Sequence, residues 1–184
     1  TDFDLATYQA VSGTGKAAVE ELRQEIFSKE STEIQKVYPK QIAFNAIPQC
    51  DIFLDDYYTK EEMKVAWETK KILDPNIKVA ATCVRVPVLN GHSESVHIKT
   101  KDPISEDLAL KLLKEAPGLS IKFGESEDDY PTALTDGDGN GLVHVGRIRK
   151  DLWEENRLNL WVVADNLLKG AALNSIQIAT LLFD

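Results

Sequence analysis

Residues Ala80 to Lys101 read A-A-T-C-V-R-V-P-V-L-N-G-H-S-E-S-V-H-I-K-T-K, and the alternation within this stretch orders everything around it. Up to Leu89 the pattern is that of a strand. Ile77, Val79, Ala81, Cys83 and Arg85 share one face, and Ala80, Thr82, Val84 and Val86 share the other. Asn90-Gly91 is a hairpin-turn dipeptide, and alternation resumes through Val96 and Ile98. The pattern predicts a central strand carrying Arg85 among apolar neighbours, with His92 just past the turn. A guanidinium on an apolar face needs an anion to offset its desolvation. Its planar fork suits a carboxylate or phosphate, and an adjacent imidazole exchanges a proton near neutral pH. The plainer reading is an internal Arg–Glu pair and a surface histidine.

The composition is that of an ordinary globular domain. The chain has 184 residues, 43% hydrophobic and 28% charged, enough for one domain with a sizeable core. A net charge of −9 argues against nucleic acid and anionic membranes as partners. Cys50 and Cys83 have no CxxC spacing and read as reduced thiols, with no metal site. No apolar run reaches membrane-spanning length, and Thr1-Asp2-Phe3-Asp4 is not a signal peptide, so the expected location is cytoplasmic.

Before the opening stretch, Leu5 to Val11 reads as a strand that enters a Ser12-Gly-Thr-Gly15 turn. A helix follows from about Lys16, with Val19, Leu22 and Ile26 as its apolar stripe. The turn is not a phosphate loop, because Ala10 and Ala17 stand where that motif requires Gly and Ser or Thr. Gln9 is either a core amide or a functional one. Lys29 to Lys40 reads as a polar loop, and Ile42 to Ile47 as a strand closed by Pro48. Thr59-Lys-Glu-Glu62 fits a capping box that opens a helix to about Leu73. Glu61 and Lys64 share a face of its first turn, where the helix dipole favours an anion. They also fit a solvated stripe with Glu68 and Lys71.

Beyond the opening stretch, Pro103 and Ser105 introduce a helix with Leu108, Leu112 and Leu113 facing inward. Glu125 to Asp129 forms an acidic loop. Asp136 to Gly141 imitates a calcium loop, but Arg147 occupies the position that needs a bidentate Glu, so a glycine-rich hairpin loop is the better reading. Leu142 to Ile148 and Leu158 to Val163 read as two more strands joined by a surface turn over Asp151 to Arg157. From Asn166 an amphipathic helix carries Leu168, Ala172, Ser175, Ala179 and Leu182 on one side.

The block T-C-V-R-V-P-V-L-N-G-H-S-E-S-V-H-I-K-T resembles the active-site segment of the bacterial aspartate-semialdehyde dehydrogenase family. So do T-Y-Q-A-V-S-G-T-G (Thr7 to Gly15), I-A-F-N-A-I-P-Q (Ile42 to Gln49) and E-E-M-K-V-A-W-E-T-K-K-I-L (Glu61 to Leu73). V-G-R-I-R-K-D (Val145 to Asp151) and V-A-D-N-L-L-K-G-A-A-L-N-S-I-Q-I-A (Val163 to Ala179) complete the set, in family order across nearly the whole chain. The resemblance implies the second half of such an enzyme, a single catalytic and dimerisation domain over residues 1–184. The implied fold is α+β, a mixed, mostly antiparallel sheet like the C-terminal domain of glyceraldehyde-3-phosphate dehydrogenase. Helices would cover one face and the other would help build a homodimer. Residues 166–184 would form a helix that packs on a nucleotide-binding domain not contained in this chain.

Family members reversibly convert 4-aspartyl phosphate and NADPH to aspartate 4-semialdehyde, NADP and phosphate, on the route to lysine, threonine and methionine. By resemblance, His92 is the general acid/base, Arg85 binds the substrate carboxylate and Glu61 meets its amine. Lys64 would bind phosphate, Gln9 would position the acyl group, and Asn166 would lie near the nicotinamide of NADP. The family's nucleophilic cysteine sits in an N-C-[S/T] motif, which this chain lacks, and Cys83 matches an ordinary strand position. No G-x-G-x-x-G fingerprint is present either. The chain alone is therefore expected to be inactive. The alternatives are a related acyl-phosphate reductase of the acetylglutamyl-phosphate or glyceraldehyde-phosphate type, or a non-catalytic dimerisation module.

Overall fold

The computed structural model describes residues 1–27, 36–123 and 126–183. Its strands are β1 (Asp2–Gln9), β2 (Lys78–Arg85), β3 (His92–Lys99), β4 (Leu119–Lys122), β5 (Val143–Lys150) and β6 (Arg157–Ala164). The helices are α1 (Lys16–Phe27), α2 (Lys60–Ile72), α3 (Glu106–Glu115) and α4 (Leu173–Phe183). The strands form one six-stranded sheet in the order β2-β1-β3-β6-β5-β4. Pairs β1–β2 and β4–β5 are parallel and the other three are antiparallel, which gives the expected mixed α+β architecture.

The sheet has one face covered by α-helices and a second, helix-free face that carries no α-helix. Val96, Ile98, Leu158, Leu160, Val162 and Val145 point toward α3, where Ala109, Leu110 and Leu113 close the main core. Further along the same face, Phe3, Leu5 and Val79 lie opposite Val65, Thr69 and Ile72 of α2. A second, smaller core sits past the end of β1. There Val11, Ala18 and Leu22 pack with Tyr38, Ile42, Ala43 and Ile47. Two carboxylates of α1 hold that segment down: Glu21 accepts from the amides of Val37 and Tyr38, and Glu25 from those of Ile42 and Ala43.

Several expectations change. The Asn90-Gly91 turn exists, with Gly91 at φ 85°, but β2 and β3 do not form a hairpin. They flank β1 on its two sides, so β2 is an edge strand rather than a central one. The chain crosses past the end of β1, where Val88 and Leu89 carbonyls accept the amides of Val11 and Ser12. Satisfying both edges of β1 outweighs the short-range hairpin preference.

Ile42 to Ile47 is not a strand. Only Ile47 pairs, by reciprocal bonds with Arg85, while Phe44 takes φ 60° and is exposed. The buried Ile42 and Ala43 are core plugs, and their amides go to Glu25 instead of a ladder.

In α3 the inward stripe is Ala109, Leu110 and Leu113, whereas Leu108 and Leu112 are 45% and 52% exposed. Ile26 of α1 is also exposed, and the β1 strand begins and ends earlier than its apolar pattern predicted. The Asp136–Gly141 loop is no hairpin, because the strands it joins are parallel. It belongs to a crossover on the helix-free face, anchored by Asp136, whose carboxylate pairs with Lys122 and accepts from Thr132 and Thr135. The C-terminal segment does form a helix, but α4 buries none of its residues. The start of the expected Lys29–Lys40 loop, Glu125 of the acidic loop and Asp184 lie outside the described residues. Among the described residues, no helix is long and apolar enough to cross a membrane.

Candidate active site

Strand direction assembles the site. β1 and β2 are parallel, with Gln9 opposite Arg85 at their C-terminal ends. β3 is antiparallel to β1, so its first residue, His92, arrives at the same end. β6 is antiparallel to β3, with Ala164 opposite His92, and the chain leaves it through Asp165 and Asn166. The first turn of α2 closes the circle with Glu61 and Lys64. Gln9, Glu61, Lys64, Arg85, His92 and Asn166 all line one cleft of about 610 Å³.

The capping box places α2. Thr59 Oγ1 accepts the Glu62 amide at 3.3 Å, and Glu62 Oε2 accepts the Thr59 amide at 2.7 Å. The other oxygen of Glu62 accepts the Cys83 amide of β2 at 2.9 Å, so one buried side chain both starts the helix and docks it. Glu61 is thereby held toward β1, where its Oε1 accepts from Gln9 Nε2 at 3.3 Å. Its Oε2 is 3.5 Å from Lys64 Nζ, and the lysine head is half exposed, so the ion pair is a weak one.

Arg85 is 7% exposed. Its Nη1 donates to the Ala10 carbonyl at 2.7 Å, and its buried Nε has no partner. Among the described residues no carboxylate lies within 4.0 Å of the guanidinium, so the internal Arg–Glu pair is not what this structure contains. A buried, uncompensated cation that lines a cleft is costly unless an anion enters beside it.

His92 is held down to a pKa of about 4, first by burial and then by the charge of Arg85, which together outweigh the Gly91 carbonyl and Asp165. At neutral pH it is an uncharged imidazole. Its Nδ1 accepts the Ala10 amide at 3.0 Å. Asn166 ties three segments together around it: Oδ1 accepts the Gly91 amide at 2.9 Å, and Nδ2 donates to Ser12 Oγ at 2.9 Å.

Both thiols are buried, and burial pushes Cys50 up to about 12 and Cys83 up to about 11. Neither offers a thiolate at neutral pH.

Sequence reasoning did not single out Ser12, Gly13, Glu94 or Asp165, which also line the cleft. Glu94 carried a legible signal, since it stands two positions from His92 and so shares its face of β3. Burial raises the pKa of its carboxyl. Ser12 and Gly13 gave no comparable signal, because a strand-to-helix turn explains them equally well.

Known proteins are similar to this chain in sequence and fold. The family described as semialdehyde dehydrogenase, dimerisation domain, matches residues 1–169. The aspartate-semialdehyde dehydrogenase of Shewanella violacea is 52% identical over 184 residues, covering 98% of this chain and 54% of that protein. The crystal structure of aspartate semialdehyde dehydrogenase II complexed with ASA, from Vibrio cholerae, superposes with a TM-score of 0.91 at 46% identity. That alignment covers 98% of this chain and 54% of the other. The Candida albicans aspartate semialdehyde dehydrogenase, solved with NADP, aligns with a TM-score of 0.69 at 25% identity, over 98% of this chain and 50% of that one. The chain thus spans about half the length of the relatives it matches. It belongs to the semialdehyde dehydrogenase dimerisation-domain family.

Proposed function

We propose that this chain is the substrate-binding and dimerisation half of an aspartate-semialdehyde dehydrogenase, inactive until joined to a nucleotide-binding half that brings the nucleophilic cysteine. The whole enzyme would convert 4-aspartyl phosphate to aspartate 4-semialdehyde, with release of inorganic phosphate. The observation that carries this reading is the buried, unpaired guanidinium of Arg85 in the cleft. It calls for a carboxylate, and a bidentate pair would fix the substrate's orientation. Glu61, 3.5 Å from Lys64, offers an acceptor for the substrate ammonium, and the exposed lysine head is free to meet phosphate. The Gln9 amide sits between Glu61 and the strand end, where it can hold an acyl oxygen. His92 is the proton-handling group.

For NADP, the donor set of this chain fits only the edge of the molecule. Asn166 donates one amide hydrogen to Ser12 and keeps the other, while its Oδ1 takes the Gly91 amide, and Gly170 and Ala171 leave room beside it. The cofactor supplies the hydride; this chain orients the acyl group that receives it. The bare apolar surface of α4, including Ile176, Leu181 and Phe183, is the surface we assign to the nucleotide-binding half. The helix-free sheet face, with Tyr8 against Trp161 at 5.5 Å, is assigned to a second copy.

The test is to splice this chain to the nucleotide-binding half of the Shewanella violacea relative. Phosphate- and aldehyde-dependent reduction of NADP is expected, and Arg85→Ala should abolish it. A spliced protein that folds and dimerises but turns nothing over would instead favour a dimer scaffold.

A further inference from the structure

Behind the cleft, β3 carries a carboxyl that the proposed reaction does not use. Glu94 stands two residues along the strand from His92, on the same face, with Thr7 of β1 and Val162 of β6 beside it. Among the described residues its carboxylate has no hydrogen bond and no ion pair. Burial raises its pKa. Arg85 and Glu94 are thus opposite cases. The guanidinium faces the cleft, where an acidic substrate can meet it, whereas the substrate ammonium is already assigned to Glu61 and leaves Glu94 without a cation.

From Glu94 the sheet runs on as the floor of an apolar trough of about 440 Å³. Leu5, Val96 and Phe3 form that floor, and all three remain partly exposed. Val65, Thr69 and Ile72 form one wall, at helical positions i, i+4 and i+7 of α2. Ile72 is 74% exposed at the outer end. Among the residues that line the trough, Glu68 and Glu94 are acidic and none is basic. The floor from Phe3 to the row of Thr7 and Glu94 is about 13 Å long at the rise of an extended strand.

We propose that this trough is a binding site for a linear aliphatic primary amine, its ammonium on Glu94 and its alkyl chain along Leu5, Val96 and Phe3 toward Ile72. A carboxylate at the inner end of an apolar groove is costly unless a cation enters beside it. An ammonium supplies that charge and its hydrogen bonds in one small group. The apolar floor and wall favour methylenes behind it and disfavour a polar chain. The stem of a lysine on a partner surface is too short to reach Glu94 past Ile72, so the amine is a free one. Glu94 also borders the cleft, so the bound ammonium sits one strand row behind His92.

Binding here is independent of the reaction proposed for the cleft, and its test needs neither turnover nor the nucleotide-binding half. The ¹⁵N-labelled chain is titrated at neutral pH with butyl-, hexyl- and octylammonium and with the matching alcohols, and amide shifts are followed. Shifts centred on Leu5, Val65 and Val96 are expected, with affinity rising about fourfold per added methylene. Each alcohol should bind about tenfold more weakly than its ammonium. Glu94→Gln should bring the ammonium series down to the level of the alcohols and leave the alcohols unchanged. An alcohol as tight as its ammonium, an affinity that is flat from butyl to octyl, or an ammonium preference that survives Glu94→Gln overturns the site. Shifts confined to α4 or to the Arg85 end of the cleft overturn it as well. If Glu94→Gln does not fold, the wild-type comparison still decides, and Thr69→Trp, which fills the trough and leaves the carboxyl, should abolish binding of the whole series. Unchanged octylammonium binding in Thr69→Trp overturns the placement of the chain.

Discussion

Glu62 accepts the Cys83 amide at 2.9 Å with one oxygen and the Thr59 amide at 2.7 Å with the other. The first bond reaches across to an edge strand, and the second belongs to the helix's own cap. Removing the carboxylate leaves two buried donors without acceptors, at roughly 1–3 kcal/mol each for full exposure of the penalty. Partial relaxation brings the expected loss for Glu62→Ala to about 2–4 kcal/mol in urea unfolding, with an unchanged denaturant slope. Glu62→Gln keeps one acceptor and should fall between. A loss under ~0.5 kcal/mol for Glu62→Ala would mean that the cap and the strand contact are incidental.

Arg85 is the reverse case, a residue whose removal should cost stability little. Its guanidinium is buried beside the cleft without a carboxylate, and its main return is the bond to Ala10. Arg85→Met exchanges a desolvated cation for apolar volume, so the ligand-free chain should be as stable or more stable by roughly 1 kcal/mol. The same change should abolish stabilisation by a bound anion. A dicarboxylate at 100 times its Kd would add about 2.7 kcal/mol to the wild-type chain and nothing to the variant. Thermal melts with and without aspartate measure both effects. A strongly destabilised ligand-free variant would show that Arg85 is a structural residue.

The two thiols give a kinetic prediction. Cys50 and Cys83 are 1% and 0% exposed, and burial keeps both protonated well above neutral pH. An aromatic disulfide reagent at pH 8 should find no reactive thiol in the folded chain and two after unfolding. Rapid native labelling at Cys83 would reopen the question of a nucleophile within this half.

Much of the site was legible in the sequence because its members lie at element ends, where local rules are strong. Thr59 and Glu62 form the capping box that Thr-Lys-Glu-Glu predicts, and this alone fixes the direction of Glu61 and Lys64. Arg85 and Cys83 alternate on the buried side of β2 as the period of two requires. What could not be read is pairing. Asn90-Gly91 turns the chain, yet no local signal says that β1, some 80 residues away, will lie between the strands it joins. The same limit hid the Ala10 peptide, whose two bonds are to His92 and Arg85, far along the chain. In α3, Leu108 and Leu113 are equally apolar, so the side taken inward depends on where Val145 and Ile148 stand. Ile42 and Ala43 read as a strand because no sequence rule foresees that a carboxylate from α1 will take their amides.

The last prediction concerns acid. His92 titrates at about 4 in the folded chain against an ordinary 6.5, so between these values the unfolded chain holds a proton that the folded chain refuses. Unfolding takes up that proton, and stability falls as the pH drops from about 6.5 to about 4. Across the whole window the shift corresponds to about 3 kcal/mol. His144, lowered by burial, acts in the same direction, and Asp136, held at about 2, adds its own loss only at lower pH. Both groups are present in wild type and variant alike, so the difference between wild type and His92→Gln isolates one imidazole. That difference should be flat above pH 7 and should change steadily in favour of the variant down to about pH 4. Arg85→Met removes one cause of the shift and leaves burial and Lys64, so the His92 midpoint in that variant should move upward without reaching 6.5. Equal pH dependence of wild type and His92→Gln in urea unfolding would show that the imidazole is solvated, and the cleft would then be open where the structure closes it.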